Sequence, residues 1–348
     1  MNVHRFGGAA LALALLMPAA APAAAGFQDV LDVPAMASEL ATKGLINGLA
    51  QAGSRVVGVG QRGHVVYSDD QGRSWRQAKV PVSSDLVAVS FPTPQQGWAV
   101  GHDGVVLATS DAGASWTKQL DGRALGEVML AHYKAKGEAA WIVEAERFAA
   151  QGAENPFLDV WFSDERNGFV VGAFNLILRT TDGGKRWTPW LDRTDNPQAL
   201  HLYGIRGAAG DVYVVGEQGL VLRLDAAAGR FTRVATPYPG SYFGVTGTNT
   251  AVIVFGLRGN AYRSTDRGAT WHKVETGVQE GLTAGAALGE GGVLLASQAG
   301  RILVSQDGGE RFSPVKLERA TPASAVHALG TDAVVVAGAR GVRVQPLR

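Results

Sequence analysis

The sequence predicts an all-β chain built as a seven-bladed β-propeller with four-stranded blades, carrying a short helical insertion between the second and third blades. Three observations predict it. An eight-residue motif recurs along the chain, a pair of apolar strands joined by a Gly-x-x-Gly turn precedes each copy, and 46 of the 348 residues are glycine. That glycine content is about twice the usual share. Short β-rich segments between glycine turns at a period of about 40 residues are the pattern of four-stranded propeller blades.

The first element is an address. Residues 1–25 hold one charge, Arg5, then an apolar run from Gly7 to Met17, then Pro18 and the small residues Ala23-Ala24-Ala25. This reads as a cleavable secretory signal peptide. It implies a periplasmic protein, or a thylakoid-lumen protein if the source is photosynthetic. No later stretch approaches the eighteen apolar residues of a spanning helix, so residues 26–348 read as one propeller.

The repeats come next. Ser68-Asp69-Asp70-Gln71-Gly72-Arg73-Ser74-Trp75 returns as 109–116, 180–187 and 264–271, with a weaker copy at 305–312 and a decayed one ending at Phe231. These are Asp-box, or bacterial neuraminidase, repeats. The second glycine of the preceding turn, or its equivalent, falls at Gly63, Gly104, Asn175, Gly219, Gly259, Gly300 and Gly341, at intervals of 41, 71, 44, 40, 41 and 41. Seven units result, and one gap carries about thirty extra residues. The last unit stops after its third strand, at Val342-Arg343-Val344, so the expected fourth strand comes from the N-terminus, around Phe27 to Val33. Such a closure hides sheet edges.

The boxes are structural on this reading. Each Asp accepts N–H bonds in the turn between third and fourth strands, each glycine permits positive φ, and each aromatic residue packs between blades. The residues concerned are Asp70 and Trp75, Asp111 and Trp116, Asp182 and Trp187, Asp266 and Trp271, and Asp307 and Phe312. A catalytic constellation joins unlike partners once, whereas these repeat around the ring.

Alternating strand directions place the Gly-x-x-Gly turns and the blade-to-blade connections on the face opposite the boxes. That face is expected to carry the partner-binding residues Arg62, His102, Asp103, Glu217, Arg258 and Arg340. Arginines recurring at one blade position attract a carboxylate or an acidic protein segment. The long gap, residues 121–155, belongs to the same face. Its Ala-, Glu- and Leu-rich stretches 124–136 and 138–150 read as two short helices hinged at Gly137. They serve as a lid packed on the rim or as a recognition element.

Composition removes other chemistries. Lys and Arg number 32 against 31 Asp and Glu, which lacks the basic excess of a nucleic-acid binder. With no cysteine, disulfides, thiolate nucleophiles, Cys-type zinc sites and cysteine-linked lipid anchors are excluded. The seven histidines form no His-x-x-x-His pair, the glycine turns join two strands rather than a strand to a helix, and Gly-x-Ser-x-Gly does not occur. The expectation is no catalytic residue, no metal, no cofactor and a monomer.

With the boxes, Gly97-Trp98-Ala99-Val100-Gly101-His102-Asp103-Gly104-Val105-Val106-Leu107 and Pro156-Phe157-Leu158-Asp159-Val160-Trp161-Phe162, the chain resembles the photosystem II stability and assembly factor family over nearly its whole mature length. The resemblance implies an exported, non-enzymatic, seven-bladed propeller with an arginine patch, working as an assembly or accessory factor for a membrane-associated protein complex. The alternative is an Asp-box glycoside hydrolase. A sialidase would recruit Tyr203, Tyr242 and Glu217, and an endoglucanase Asp103 and Asp159, although the early Arg-Ile-Pro motif of sialidases is absent.

Overall fold

The computed structural model describes residues 28–317 and 320–347, so the expected signal peptide lies outside the described residues. The strands form seven separate antiparallel sheets, six of four strands and a last one of three. Two helices, α1 (Gly122–Lys136) and α2 (Ala139–Gln151), interrupt this all-β order. The first strands of the seven sheets, Ile46–Ala52, Leu86–Ser90, Phe157–Phe162, Leu202–Ala208, Tyr242–Gly247, Leu282–Leu288 and Ala325–Leu329, contact one another in chain order, and the last meets the first. Among the described residues no helix is long and apolar enough to cross a membrane.

The second strand of each sheet reads as a continuous apolar run because both its faces are covered. Val252–Gly256 and Gly168–Gly172 are buried at every residue, the pattern of a strand packed between two neighbours rather than on one. The glycine ending that strand has a separate cause. A Cβ on Gly101 would lie 2.1 Å from the Asp85 carbonyl oxygen, so the backbone approach there admits no side chain.

Each box carries the hydrogen bonds expected of its aspartate and adds one partner. In the second box the Ser115 N–H and hydroxyl donate to the Asp111 carboxylate at 2.9 and 2.6 Å. Thr109 Oγ1 donates to the same carboxylate at 2.8 Å and accepts the Gly113 N–H at 3.1 Å. The equivalent hydroxyls of Ser68, Thr180, Ser264 and Ser305 repeat both bonds. The hydroxyl two residues before the Asp therefore belongs to the motif as fully as the Asp itself. Trp75, Trp116 and Trp271 close the turn by donating Nε1–H to a glycine carbonyl at 3.1 Å. Trp187 makes no such bond, and Gln119 Nε2 instead donates to Gly183 O at 2.9 Å.

Every one of these turns leans on the sheet before it. Trp116 shares a core with Val57 and Val65 of the first sheet and with Val80 just after it. Arg263 Nε of the fifth sheet donates to Gly308 O in the box of the sixth at 2.8 Å. Trp75 of the first box packs with Ala325, Ala337 and Val342 of the last sheet. This packing corrects the expected closure by an N-terminal strand. Residues 30–33 form a turn, the last sheet has three strands, and the N-terminal segment runs instead beside the first two sheets. There Val30 O accepts the Ser83 N–H, Leu31 O accepts Lys118 Nζ, and Ala35 N–H donates to Val80 O. The last sheet is joined to the first by side chains and by Val342 N–H donating to Thr42 O at 3.2 Å, without a fourth strand.

The box carboxylates set an acid limit. The Ser74 hydroxyl and N–H hold Asp70 down to about 2, the Thr270 hydroxyl does the same to Asp266, and the Arg311 N–H to Asp307. Burial pushes Asp111 up, but the Ser115 hydroxyl and N–H outweigh it, and the Arg186 N–H lowers Asp182. A carboxyl depressed on folding contributes stability above its unfolded value near 3.8, and that contribution is lost as pH falls through its folded value. Tm is expected to begin to fall below about pH 6.5, where burial keeps His64, His132 and His327 from taking up the proton they accept when unfolded, and to fall further from about pH 4 to 2 as the box carboxylates are protonated. A Tm unchanged over the lower range would contradict the role given to the boxes.

Candidate functional site

The turns between second and third strands share one design in five of the sheets. Both central residues have positive φ in Arg62-Gly63, Asp103-Gly104, Phe174-Asn175, Gln218-Gly219 and Arg258-Gly259. In the first, Arg62 adopts φ 55°, ψ 32°, and the His64 N–H closes on Gln61 O at 3.0 Å. Such a turn matches strand twist and favours Asn, Asp or Gly at the first position. Only Asp103 obeys that preference. In the last two sheets only Gly300 and Gly341 have positive φ, so Arg340 is free of the strain.

The site residues separate into two groups. Arg62, Arg258 and Arg340 are exposed, and none of the three enters an ion pair among the described residues. Arg301, one residue past the repeat glycine of the sixth sheet, is paired with Glu280 at 3.1 Å. Sequence reading missed it because it falls one step outside the aligned turn position. Together these residues place basic side chains on the fifth, sixth, seventh and first sheets in succession.

Of the other three, Glu217 is engaged within the protein, while His102 is exposed and Asp103 is half-buried. Glu217 accepts the His201 N–H at 2.8 Å and lies 2.9 Å from His201 Nδ1. His102 and Asp103 occupy the turn on which the insertion sits, where a Cβ on Gly104 would meet Gly122 N and Cα at 2.8 Å. The insertion and these turns therefore share a side of the molecule.

The insertion is a fixed hairpin. Asp121 caps α1 by accepting the Arg123 and Ala124 N–H groups, and Gly137 ends it at φ 71°. Leu125, Met129, Tyr133, Ala145 and Phe148 belong to the same buried cluster as Phe157 and Ile177 of the third sheet and Leu191 just after it. Tyr133 OH donates to Asp192 Oδ1 at 3.1 Å, and Lys136 Nζ to Asp192 Oδ2 at 2.5 Å. Arg123 reaches back to Asp32 through two bonds of 2.8 Å.

At the centre, a channel of about 240 Å³ is lined by residues from all seven first strands, Asn47, Val87, Asp159, Tyr203, Phe243, Thr283 and Ala325 among them. Asp159 is buried, and its carboxylate accepts Arg206 Nη1 at 2.5 Å and the Ile205 N–H at 2.8 Å. Its oxygens are committed to positioning the strand. Burial and the neighbouring Glu217 carboxylate raise Tyr203 above the usual phenol value, opposite to what an activated nucleophile requires. Burial likewise raises Tyr242. Among the described residues no group of three His, Asp or Glu is placed to hold a metal.

Residues 67–149 and 145–291 match the family described as photosynthesis system II assembly factor YCF48. Two curated relatives are similar to part of the chain. The photosystem II assembly lipoprotein Ycf48 of a Synechococcus species is 29% identical over 121 residues, which is 34% of this chain and 36% of the relative. Its counterpart in Prochlorococcus marinus is 30% identical over 121 residues, 34% of this chain and 35% of the relative. The match spans about a third of the length of these relatives, and the present chain has no cysteine. Among solved structures, YCF48 bound to D1 peptide superposes with a TM-score of 0.65 at 17% identity, covering 88% of this chain and 94% of that one. YCF48 from Cyanidioschyzon merolae gives 0.63 at 16%, covering 87% and 95%. A GH74 xyloglucanase from Xanthomonas campestris gives 0.63 at 13%, covering 87% of this chain and 52% of the enzyme. At these identities the superpositions speak for the propeller fold alone.

Proposed function

The chain belongs to the photosynthesis system II assembly factor YCF48 family, and from that premise we propose that it is an exported, non-catalytic, seven-bladed propeller acting as an assembly or accessory factor for a membrane protein complex. The observation that carries the reading is the set of exposed arginines, Arg62, Arg258 and Arg340, which enter no ion pair among the described residues and stand on the turns between second and third strands of three sheets. Two of these sit at strained turn positions where Asn or Asp would be more stable. A charge kept at a position that turn stability disfavours serves something outside the turn. An acidic segment of a membrane protein supplies the matching carboxylates. A family relative has been seen with a D1 peptide, which fits a binding role of this kind. Residues 1–25 supply the export signal in this reading, and the periplasm is its destination.

The test is affinity capture from detergent-solubilised envelope, with the mature chain as bait and an Arg62, Arg258 and Arg340 triple variant as control. The expected result is a membrane protein retained by the native bait and lost with the variant. Turnover of sialosides or β-glucans by the same preparation, with no client retained, would replace this reading with the glycosidase.

A further inference from the structure

The arginines occupy the turns of only some of the sheets. The fifth, sixth, seventh and first sheets carry Arg258, Arg301, Arg340 and Arg62, while the third, fourth and fifth carry a row of rings. Phe174 lies 4.5 Å from His201, His201 lies 6.2 Å from Tyr203, and Tyr203 lies 6.0 Å from Phe243, centroid to centroid. Tyr203 and Phe243 line the channel itself. The row thus leads from the insertion, where Arg147 of α2 sits 5.5 Å from the Phe174 ring, to the central opening.

Phe174 is the member that chain folding does not explain. It stands at the turn position that Arg62 and Arg258 fill in their own sheets, with φ 54° and ψ 46°, and its side chain is 42% exposed. A bulky aromatic residue in the left-handed region is disfavoured. The turn beneath it is fixed from several sides. Asn175 is buried, donates Nδ2–H to Leu191 O at 3.2 Å, and accepts from Thr194 Oγ1 and Asn196 Nδ2 at 3.0 Å each. Surroundings that hold a strained residue in place mark a site whose use lies elsewhere. A half-exposed aromatic ring beside other rings is also the usual form of a binding anchor.

We infer that the row Phe174–His201–Tyr203–Phe243, in which Glu217 is held on the His201 ring at 2.9 Å, is an aromatic subsite, and that its occupant is an extended acidic peptide segment that lays an aromatic side chain on the row and its carboxylates on the arginines. The inference rests on the binding reading proposed above and adds which side chain of the partner is selected. Basic side chains on the turns of four sheets, and a row of rings led by the exposed Phe174 on the third to fifth, select that chemistry. A channel of about 240 Å³ accommodates side chains rather than a folded domain.

The probe is a fluorescein-labelled, glutamate-rich peptide with a free carboxyl terminus and one central phenylalanine, together with its counterpart carrying alanine there. Fluorescence anisotropy with the mature chain is expected to show the phenylalanine peptide bound about tenfold more tightly. Phe174→Asn is expected to remove that preference, to leave the affinity for the alanine peptide unchanged, and to keep or raise Tm, because Asn fits the left-handed turn. Phe174→Tyr is expected to retain the preference. The subsite is overturned if Phe174→Asn keeps the preference, weakens both peptides equally, or lowers Tm by more than a few degrees. Failure of the underlying reading looks different: neither peptide binds the native chain, or both bind a triple variant of Arg62, Arg258 and Arg340 as well as they bind the native one.

Discussion

Replacing Arg62, Arg258 and Arg340 together by asparagine is expected to weaken partner capture by about a hundredfold while leaving Tm unchanged or a few degrees higher. The three side chains are exposed and make no hydrogen bond or ion pair among the described residues, so their removal takes away none of the contacts described. A charge-assisted hydrogen bond to a partner carboxylate is worth about 1 kcal/mol or more each, and three such losses amount to about 3 kcal/mol, two orders of magnitude in affinity. Stability moves the other way. Arg62 and Arg258 hold φ 55° and 56°, a conformation that costs an ordinary residue about 1–2 kcal/mol and costs asparagine less. For a chain of this size each kcal/mol shifts Tm by about 2–4 °C. Capture by the native protein is also expected to fall steeply with added salt, and residual capture by the variant to depend on it weakly. A Tm lowered by more than about 5 °C would mean that the arginines hold the turns, and the binding face would have to be sought elsewhere.

What could be read in advance depended on how far along the chain each cause acts. The repeated motif and the glycine turns are local, so seven units, the strand order within each, and the helical character of 124–150 were legible from spacing alone. The hydroxyl of Ser68, Thr109, Thr180, Ser264 and Ser305 stood in plain view in the repeat, and only its bonds revealed that it is shared between the Asp and the glycine N–H. Which neighbour a box touches is a long-range matter. The last sheet keeps three strands, and the segment expected to supply its fourth runs beside the first two sheets instead, held there by backbone bonds such as Ser83 N–H to Val30 O and Ala35 N–H to Val80 O. The arginines were legible because they recur at one turn position, whereas Phe174 escaped notice because it departs from that recurrence. An irregular residue in a regular position is invisible to an argument from periodicity.

Gly126→Leu is expected to cost about 1–4 kcal/mol net and to lower Tm by about 2–16 °C. The two helices approach so closely there that a Cβ on Gly126 would lie 2.4 Å from Ala149 Cα and 2.9 Å from Ala149 N. Backbone cannot yield to a side chain, so α2 must lift away and take Ala145 and Phe148 out of the cluster they share with the third sheet. Overpacking contributes about 1–3 kcal/mol and partial exposure of Phe148 a further 1–2 kcal/mol, against about 1 kcal/mol gained from better helix propensity. Val143→Glu makes the control, since Val143 is 66% exposed and its replacement is expected to change stability by less than about 0.5 kcal/mol. The same pair of variants separates the two roles open to the insertion. The hairpin rests on the Gly104 turn at one end and brings Arg147 to Phe174 at the other, so displacing it should disturb both ends of the binding face. Partner capture that survives Gly126→Leu below its melting temperature would make the hairpin a cover for the core alone. Capture lost with Gly126→Leu and kept with Val143→Glu would make its position, rather than its outer surface, the contribution to recognition.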